Sequence, residues 1–239
     1  MTIPAAMRTH RAPSTPVMPT RSYDVAALNL DGTRFVHSFQ APMLPLFESA
    51  FSAFARGVTL AGPHGPIAIE DLVPGDWLNT SAGQPAEVTW IGSTTFVPAH
   101  AGRRMALVRI MADSFGQSRP ASFVSLGKGA RILQTPPHLR GSTGGAQTLT
   151  PISEFVDGVN VIEVVPPTPV HLYHLCLSRH AAVDVGGMMV ETFHPGMGGT
   201  RDMSYTQRDL FLSMFPRISH ITDFGPLAHP RAPEAEEAA

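Results

Sequence analysis

Residues 53–76 read AFARGVTLAGPHGPIAIEDLVPGD. Two short β-prone runs, 58–60 and 67–69, flank Gly62, Pro63, Gly65 and Pro66, and Pro74-Gly75-Asp76 follows the second. β-branched and apolar residues on either side of a Gly/Pro cluster predict a hairpin, and the Pro-Gly-Asp predicts a turn after it. Ile67 and Ile69 fall on one face of a strand, and Glu70-Asp71 then end burial abruptly. By themselves these residues predict a β-domain.

The bulk composition agrees. With 239 residues the chain can bury one substantial core or two small ones, and 23 prolines with 21 glycines call for many short elements joined by turns. A net charge of -2, with 17 Lys and Arg spread along the chain, supplies no basic stripe for nucleic acid. One cysteine, Cys176, precludes an intrachain disulfide and a Cys-only zinc site. No apolar run of about 18 residues suggests a membrane span. The first residues, interrupted by Pro4, Arg8, His10, Arg11 and Pro13, lack the apolar centre of a signal peptide, so the expected location is the cytoplasm, with non-classical export left open. No phosphate loop, dinucleotide fingerprint, nucleophile elbow or zinc-hydrolase motif points to a cofactor.

Outward from the opening stretch, residues 1–22 are rich in Pro, Thr and Arg with no regular period, and predict a disordered arm. Residues 23–39 hold Asp31-Gly32 between apolar runs, the signal of a hairpin with a two-residue turn. In 43–54 the spacing of Leu44, Leu46, Phe47, Phe51 and Phe54 suits either a short amphipathic helix or an irregular apolar lead-in. Residues 87–91 and 104–111 predict strands, with Gly83 and Gly92 as breaks. In 123–133, FVSLGKGARIL, two β-like ends flank Gly127-Lys128-Gly129, where the backbone turns or bulges.

Residues 134–148, rich in Pro, Gly, Thr and Ser, predict an exposed loop, and Thr150 or Ser153 caps a helical turn ending at Asp157-Gly158. Strands follow at 159–165, 170–177, 181–185 and 188–193, separated by Pro166-Pro167, Ser178-Arg179-His180 and Gly186-Gly187. Residues 207–215 place Leu210, Phe211, Met214 and Phe215 on one helical stripe stopped by Pro216, a single docking helix. The small, acidic end from residue 227 predicts a disordered tail.

Two blocks of this sequence resemble the Hint (Hedgehog/intein) family of self-processing domains in its bacterial two-block form. The first is the order of small residue, Phe, two residues, Gly, strand, Gly/Pro hairpin and E-D-L-V-P-G-D in 53–76; the second is HLYHLCLSRHAAVDVGGMMVETFHPG in 171–196, similar to a closing pattern Y-H-L-x-L-x-x-H, Gly turn, E-[ST]-F-x-P-G. Together with the central strand they cover roughly residues 51–196, most of the chain expected to be ordered. The resemblance implies an all-β fold, a horseshoe of short curved strands, with a small C-terminal helix docked on it. The expected organisation is a disordered arm (1–22), a lead-in hairpin and apolar segment (23–50), a Hint-like β-domain (51–200), a C-terminal helix and extension (201–226) and a disordered tail (227–239).

The resemblance also implies a chemistry. A Hint site converts the peptide bond before its first residue into a thioester or ester by an N-to-S or N-to-O acyl shift, with a nearby His and hydroxyl activating the amide. Here the block start is Ala53, and aligning Arg131-Ile132-Leu133 with the family's central motif puts Gly127 at the hydroxyl and Ala130 at the histidine. All three functional side chains are lost, so the expected protein is a degenerate domain acting as a binding or structural module with a protein partner.

Two alternatives stand beside it. Ser52 can supply a nucleophile for ester formation, although a one-residue shift in an extended segment turns its side chain to the opposite face. The imidazoles of His171, His174, His180 and His194 invite a metal-dependent activity centred on His174, although no Cys, Asp or Glu completes a ligand set at convincing spacing. His174 and His180 match family positions and are the residual site candidates, each also readable as a hydrogen-bonded structural histidine. His171 and His174, an odd number apart on a strand, point to opposite faces. Cys176 reads as a buried structural thiol, Asp76 as a turn-capping carboxylate, and Trp77 and Trp90 as core or rim aromatics.

Overall fold

A computed structural model describes residues 18–97, 106–141, 143–196 and 198–232. Gly, Pro and Asp punctuate its chain every few residues, and the described residues form fifteen short strands. They are β1 (Thr20–Leu28), β2 (Arg34–Pro42), β3 (Phe54–Ala55), β4 (Thr59–Gly62), β5 (Gly65–Ala68), β6 (Trp77–Leu78), β7 (Ala86–Phe96), β8 (Leu107–Ile110), β9 (Val124–Leu126), β10 (Arg131–Leu133), β11 (Leu149–Pro151), β12 (Val161–Val164), β13 (Val170–Leu177), β14 (Ala182–Val185) and β15 (Met188–Glu191). The helices are α1 (Pro45–Ala50) and α2 (Tyr205–Ser213), with short 3-10 turns elsewhere. None of the described helices is long and apolar enough to cross a membrane.

The largest sheet has the order β12-β8-β9-β3-β13-β7-β1-β2, with β6 also pairing β7. A second sheet runs β11-β10-β15-β14, and β4-β5 is a separate hairpin. The class is all-β with one small C-terminal helix. The hairpin predicted from 58–69 forms with Leu60 opposite Ile67, and Val73 N–H donates to Asp76 Oδ2 at 2.8 Å, so Asp76 caps the turn.

Two large apolar cores and a small cluster of Ala55, Phe96, Leu107 and Leu172 result. The first joins Phe54, Leu126, Ile132, Leu175 and Val190 of both sheets with Leu60 and Ile69 from and beside the β4-β5 hairpin. The second gathers Tyr23, Phe47, Phe51, Trp90, Phe193, Phe211 and Phe215, and so is built where the leading hairpin, α1 and α2 meet the sheet. At about 1.5–3 kcal/mol per buried large side chain, this second core is ample to dock elements that the first leaves outside. Trp90 is its pivot: it stacks on Phe215 with ring centroids 4.5 Å apart, and its indole N–H donates to the Met214 carbonyl at 2.7 Å. Ser204 starts α2 with a reciprocal capping box to Gln207.

Several expectations need correction. Gly92 does not break its strand: β7 runs through it, because β1 and β13 pair both its edges there, and a Cβ at Gly92 would come within 2.6 Å of the Phe51 ring. The Asp31-Gly32 hairpin closes through a longer loop, with Leu28 opposite Arg34, Gly32 N–H donating to Asn29 O, and Gly32 at φ 81°. The segment 43–54 forms the helical alternative, α1, led in by Pro45. The loop 134–148 is not wholly exposed, since Thr135 and Thr148 are buried and share a 3.0 Å hydroxyl contact.

The arm predicted over 1–22 lies outside the described residues for 1–17, while Thr20 to Ser22 already belong to β1. Residues 227–232, expected within a disordered tail, pack on the domain: Leu149 N–H donates to Pro230 O at 2.8 Å and Ala232 N–H to Leu149 O at 3.0 Å. Residues 233–239 lie outside the described residues.

Candidate functional site

Two corners of the molecule hold the residues singled out from the sequence. The first is the start of β3. Ala53 N–H donates to Tyr173 O at 2.9 Å, which lays the block start along β13, and Phe54 pairs with Leu126 of β9. The turn after β9 then wraps round the preceding peptide: Gly127 N–H donates to Ala53 O at 2.9 Å and Gly129 N–H donates to Ser52 O at 3.0 Å. Both glycines are needed by space. A Cβ on Gly127 would collide with the Ser52 carbonyl oxygen, and one on Gly129 would lie 2.5 Å from Ser49 O and 3.1 Å from Ser52 Oγ.

This corner is apolar. Ala53 and Ala130 are fully buried in the first core, and Ser52 is 2% exposed. The Ser52 carbonyl sits in a backbone cradle with one N–H donor, but the residue after it has only a methyl group. A polarised carbonyl without an adjacent nucleophile performs no acyl shift.

The second corner lies at the closing block. On β13, His171 is exposed beside Thr95 Oγ1 at 3.2 Å, while His174 is buried, as opposite faces require. His174 sits edge-on between Phe54 and Phe193, with centroids 5.6 and 5.5 Å away. Burial pushes the His174 imidazole down to about 3, against the opposing pull of Glu191, so the ring is neutral near pH 7. Its Nδ1 accepts the Leu175 N–H at 3.1 Å, which leaves the proton on Nε2.

A register shift at Cys176/Leu177 and the turn after it bring His180 beside Glu191, with Nε2 and Oε1 3.2 Å apart. Glu191 is the hub. Arg231 reaches its Oε1 through Nε at 3.0 Å and Nη2 at 2.9 Å, and Arg131 Nε lies 3.8 Å from Oε2. Burial pushes the Glu191 carboxyl up, but His180 and Arg231 outweigh it and hold the group below its ordinary range. His180 Nδ1 accepts the Ala228 N–H at 2.9 Å, and its ring meets His194 edge-on at 5.1 Å. His194 uses both nitrogens, Nε2 donating to Gly225 O and Nδ1 accepting from Gly196 N–H, each at 2.9 Å.

Among the described residues no group of three or more His, Cys, Asp or Glu is arranged to hold a metal ion. The nitrogen lone pairs that such a site would need at His174, His180 and His194 accept backbone N–H groups instead. Cys176, expected as a buried thiol, is half-buried; it donates to Phe193 O at 3.7 Å, and its apolar surroundings push its pKa upward, away from nucleophile chemistry.

Sequence reasoning singled out His174 and His180 but gave no role to Glu191, which pairs with His180, or to its partners Arg131 and Arg231. The Glu of the closing pattern was in plain view without a role. Nothing in the sequence near Arg231 signals its place, which depends on the chain returning from α2 to the second sheet. Between the corners lies a cavity of about 280 Å³, bordered by Ser49, Lys128, Gly129, Arg131, His174 and Arg231 among others.

A family model described as "Hint domain" matches residues 52–197. The chain belongs to the Hint domain family. Within this family match lie Ala53, Gly127, Ala130, His174, His180, Glu191 and His194, while the leading hairpin, α1, α2 and Arg231 fall outside it. Two solved structures are similar to the Hint region at low identity. A bacterial intein-like domain from Clostridium thermocellum is 13% identical, the match covering 60% of this chain and 99% of that one, with a TM-score of 0.38. The MchDnaB-1 intein is 14% identical, with 59% and 100% covered and a TM-score of 0.36. No curated protein matches the chain.

Proposed function

We propose that this Hint domain has lost self-cleavage and serves as a binding or structural module for a protein partner. The observation that carries the reading is the block start, where Ala53 offers no nucleophile and the Gly127-Lys128-Gly129 turn packs its backbone on the Ser52 carbonyl. With Gly127 and Ala130 at the other two family positions, nucleophile, hydroxyl and general acid are absent together. Such a joint loss removes many orders of magnitude of rate, because these groups act as a unit.

Autoprocessing through Ser52 is the rival. Its hydroxyl would have to attack the Phe51 carbonyl, one residue early. Phe51 is clamped, its ring 4.6 Å from Tyr23 and 5.3 Å from Trp90 in the second core, and Ser52 itself is buried. The His174 and His180 rings each accept a backbone N–H, of Leu175 and of Ala228, at the closing corner.

The test is the intact mass of the purified chain, fresh and after hydroxylamine, beside Ser52→Ala. Retention of one full-length mass in every sample is expected. A hydroxylamine-stimulated split before residue 52, absent from Ser52→Ala, would overturn the reading.

A further inference from the structure

The largest sheet ends on β2, and among the described residues no strand pairs its outer edge. At nine residues β2 is long for an edge. The other ends of the two larger sheets are shorter: β12 and β14 have four residues each, and β11 has three, closing on Pro151. A free edge is a template for a further strand unless lysine, proline or a bulge blunts it. β2 holds no lysine, pairs β1 without a register shift, and carries its one proline at the last position, Pro42.

The backbone groups that face outward follow from the ladder. Just beyond its two ends, Met43 N–H donates to Pro19 O at 2.9 Å and Asn29 N–H donates to Thr33 O at 2.8 Å. Hydrogen-bonded and non-bonded pairs alternate in an antiparallel ladder. In this unshifted register Phe35, His37, Phe39 and Ala41 therefore bond to β1, while Arg34, Val36, Ser38 and Gln40 turn N–H and C=O outward. All four of these residues are exposed. Pro42, the next outward position, has no N–H to give.

We propose that β2 is the seam of a homodimer, two copies pairing their β2 edges antiparallel across a two-fold axis at His37. In that register Arg34 lies opposite the partner's Gln40 and Val36 opposite the partner's Ser38, so every outward N–H of the strand is used and Pro42 stays beyond the seam. Arg34 meets an amide and no like charge. Phe35 lies opposite the partner's Phe39, which carries across the axis the ladder of Phe35, His37 and Phe39, whose ring centroids are 4.5 to 6.5 Å apart. An axis at Ser38 would seat Pro42 opposite Arg34 and lose a hydrogen bond, and one at Val36 would leave Gln40 facing the Gly32 loop. β2 precedes the Hint match, so the proposal stands whether or not the Hint site cleaves. A seam of residues 34–40 alone is smaller than a standard interface of about 1,600 Å², so the dimer is expected to be reversible.

Sedimentation velocity of the full chain, from about 1 μM to 1 mM, reads the state. A concentration-dependent shift from monomer to dimer is expected. Ser38→Pro removes an outward N–H and no bond to β1, and is expected to weaken the dimer about tenfold. His37→Lys and His37→Asp, at an exposed side chain, keep the fold if Ser38→Pro does not. Each sets like charges opposite one another at the axis and should weaken the dimer about fivefold, whereas their equimolar mixture should associate more tightly than either alone. A wild type that stays monomeric throughout overturns the proposal and leaves the edge to a strand of another protein. A dimer that a folded Ser38→Pro leaves intact overturns it too, as does a Lys/Asp mixture no tighter than its components.

Discussion

The two corners of this Hint domain differ in what their side chains offer. At the first, hydrogen or methyl stands at Ala53, Gly127, Gly129 and Ala130, and backbone leaves no room for a Cβ on either glycine. At the second, His174 accepts the Leu175 N–H, His180 and His194 bond Ala228 N–H and Gly225 O of the C-terminal extension, and Glu191 pairs with Arg131, Arg231 and His180. The contrast teaches that buried polar groups are held by their partners, since removing one leaves the others buried and unpaired.

If that contrast is right, disturbing each corner should have its own signature. The largest effect is expected at the first corner from Gly127→Thr, whose Cβ would displace the Ser52 carbonyl: about 4 kcal/mol or more of stability, read from the urea midpoint. Wild-type stability there would mean that the family hydroxyl still fits, and would erase the difference between the corners. Next comes Glu191→Ala at the second corner. Removing a buried carboxylate from between two guanidinium groups and His180 is expected to cost about 3 kcal/mol by the same assay. A neutral result would show that the retained residues are as dispensable as the lost ones.

The pH profile separates the corners more finely. The folded pKa of His174, about 3, lies below its ordinary 6.5, so between those values the unfolded chain binds more protons and stability falls as pH falls. The slope approaches ~1.4 kcal/mol per pH unit. His174→Leu should flatten this loss below pH 6.5, whereas Ala53→Ser should leave it unchanged. Glu191, held below its ordinary carboxylate range, adds a second loss as pH falls further, through its folded value. The smallest effect is Ser204→Ala, outside both corners: about 1 kcal/mol from the lost cap of α2, seen as faster amide exchange in that helix.

The fold was legible wherever local chemistry decides. Period-2 alternation with Gly/Pro punctuation placed the 58–69 hairpin and β13, and the stripe Leu210, Phe211, Met214, Phe215 placed α2. What was not legible depends on partners distant in sequence. Gly92 reads as a breaker until Phe51 is seen packed against it, and Thr135 reads as loop until Thr148 is found beside it. Of the candidate site, the small residues Ala53, Gly127 and Ala130 could be read against the family pattern. The Glu191 hub could not, because Arg231 comes forty residues later and reaches it only through the folded extension.

The most direct measurement is the intact mass of Ala53→Cys, a substitution small enough for the core, after incubation with dithiothreitol. With Gly127 and Ala130 offering neither hydroxyl nor imidazole, a single full-length mass is expected even with the thiol restored. A dithiothreitol-dependent split between residues 52 and 53 would contradict this, and would mean that the first corner lost its nucleophile and nothing else.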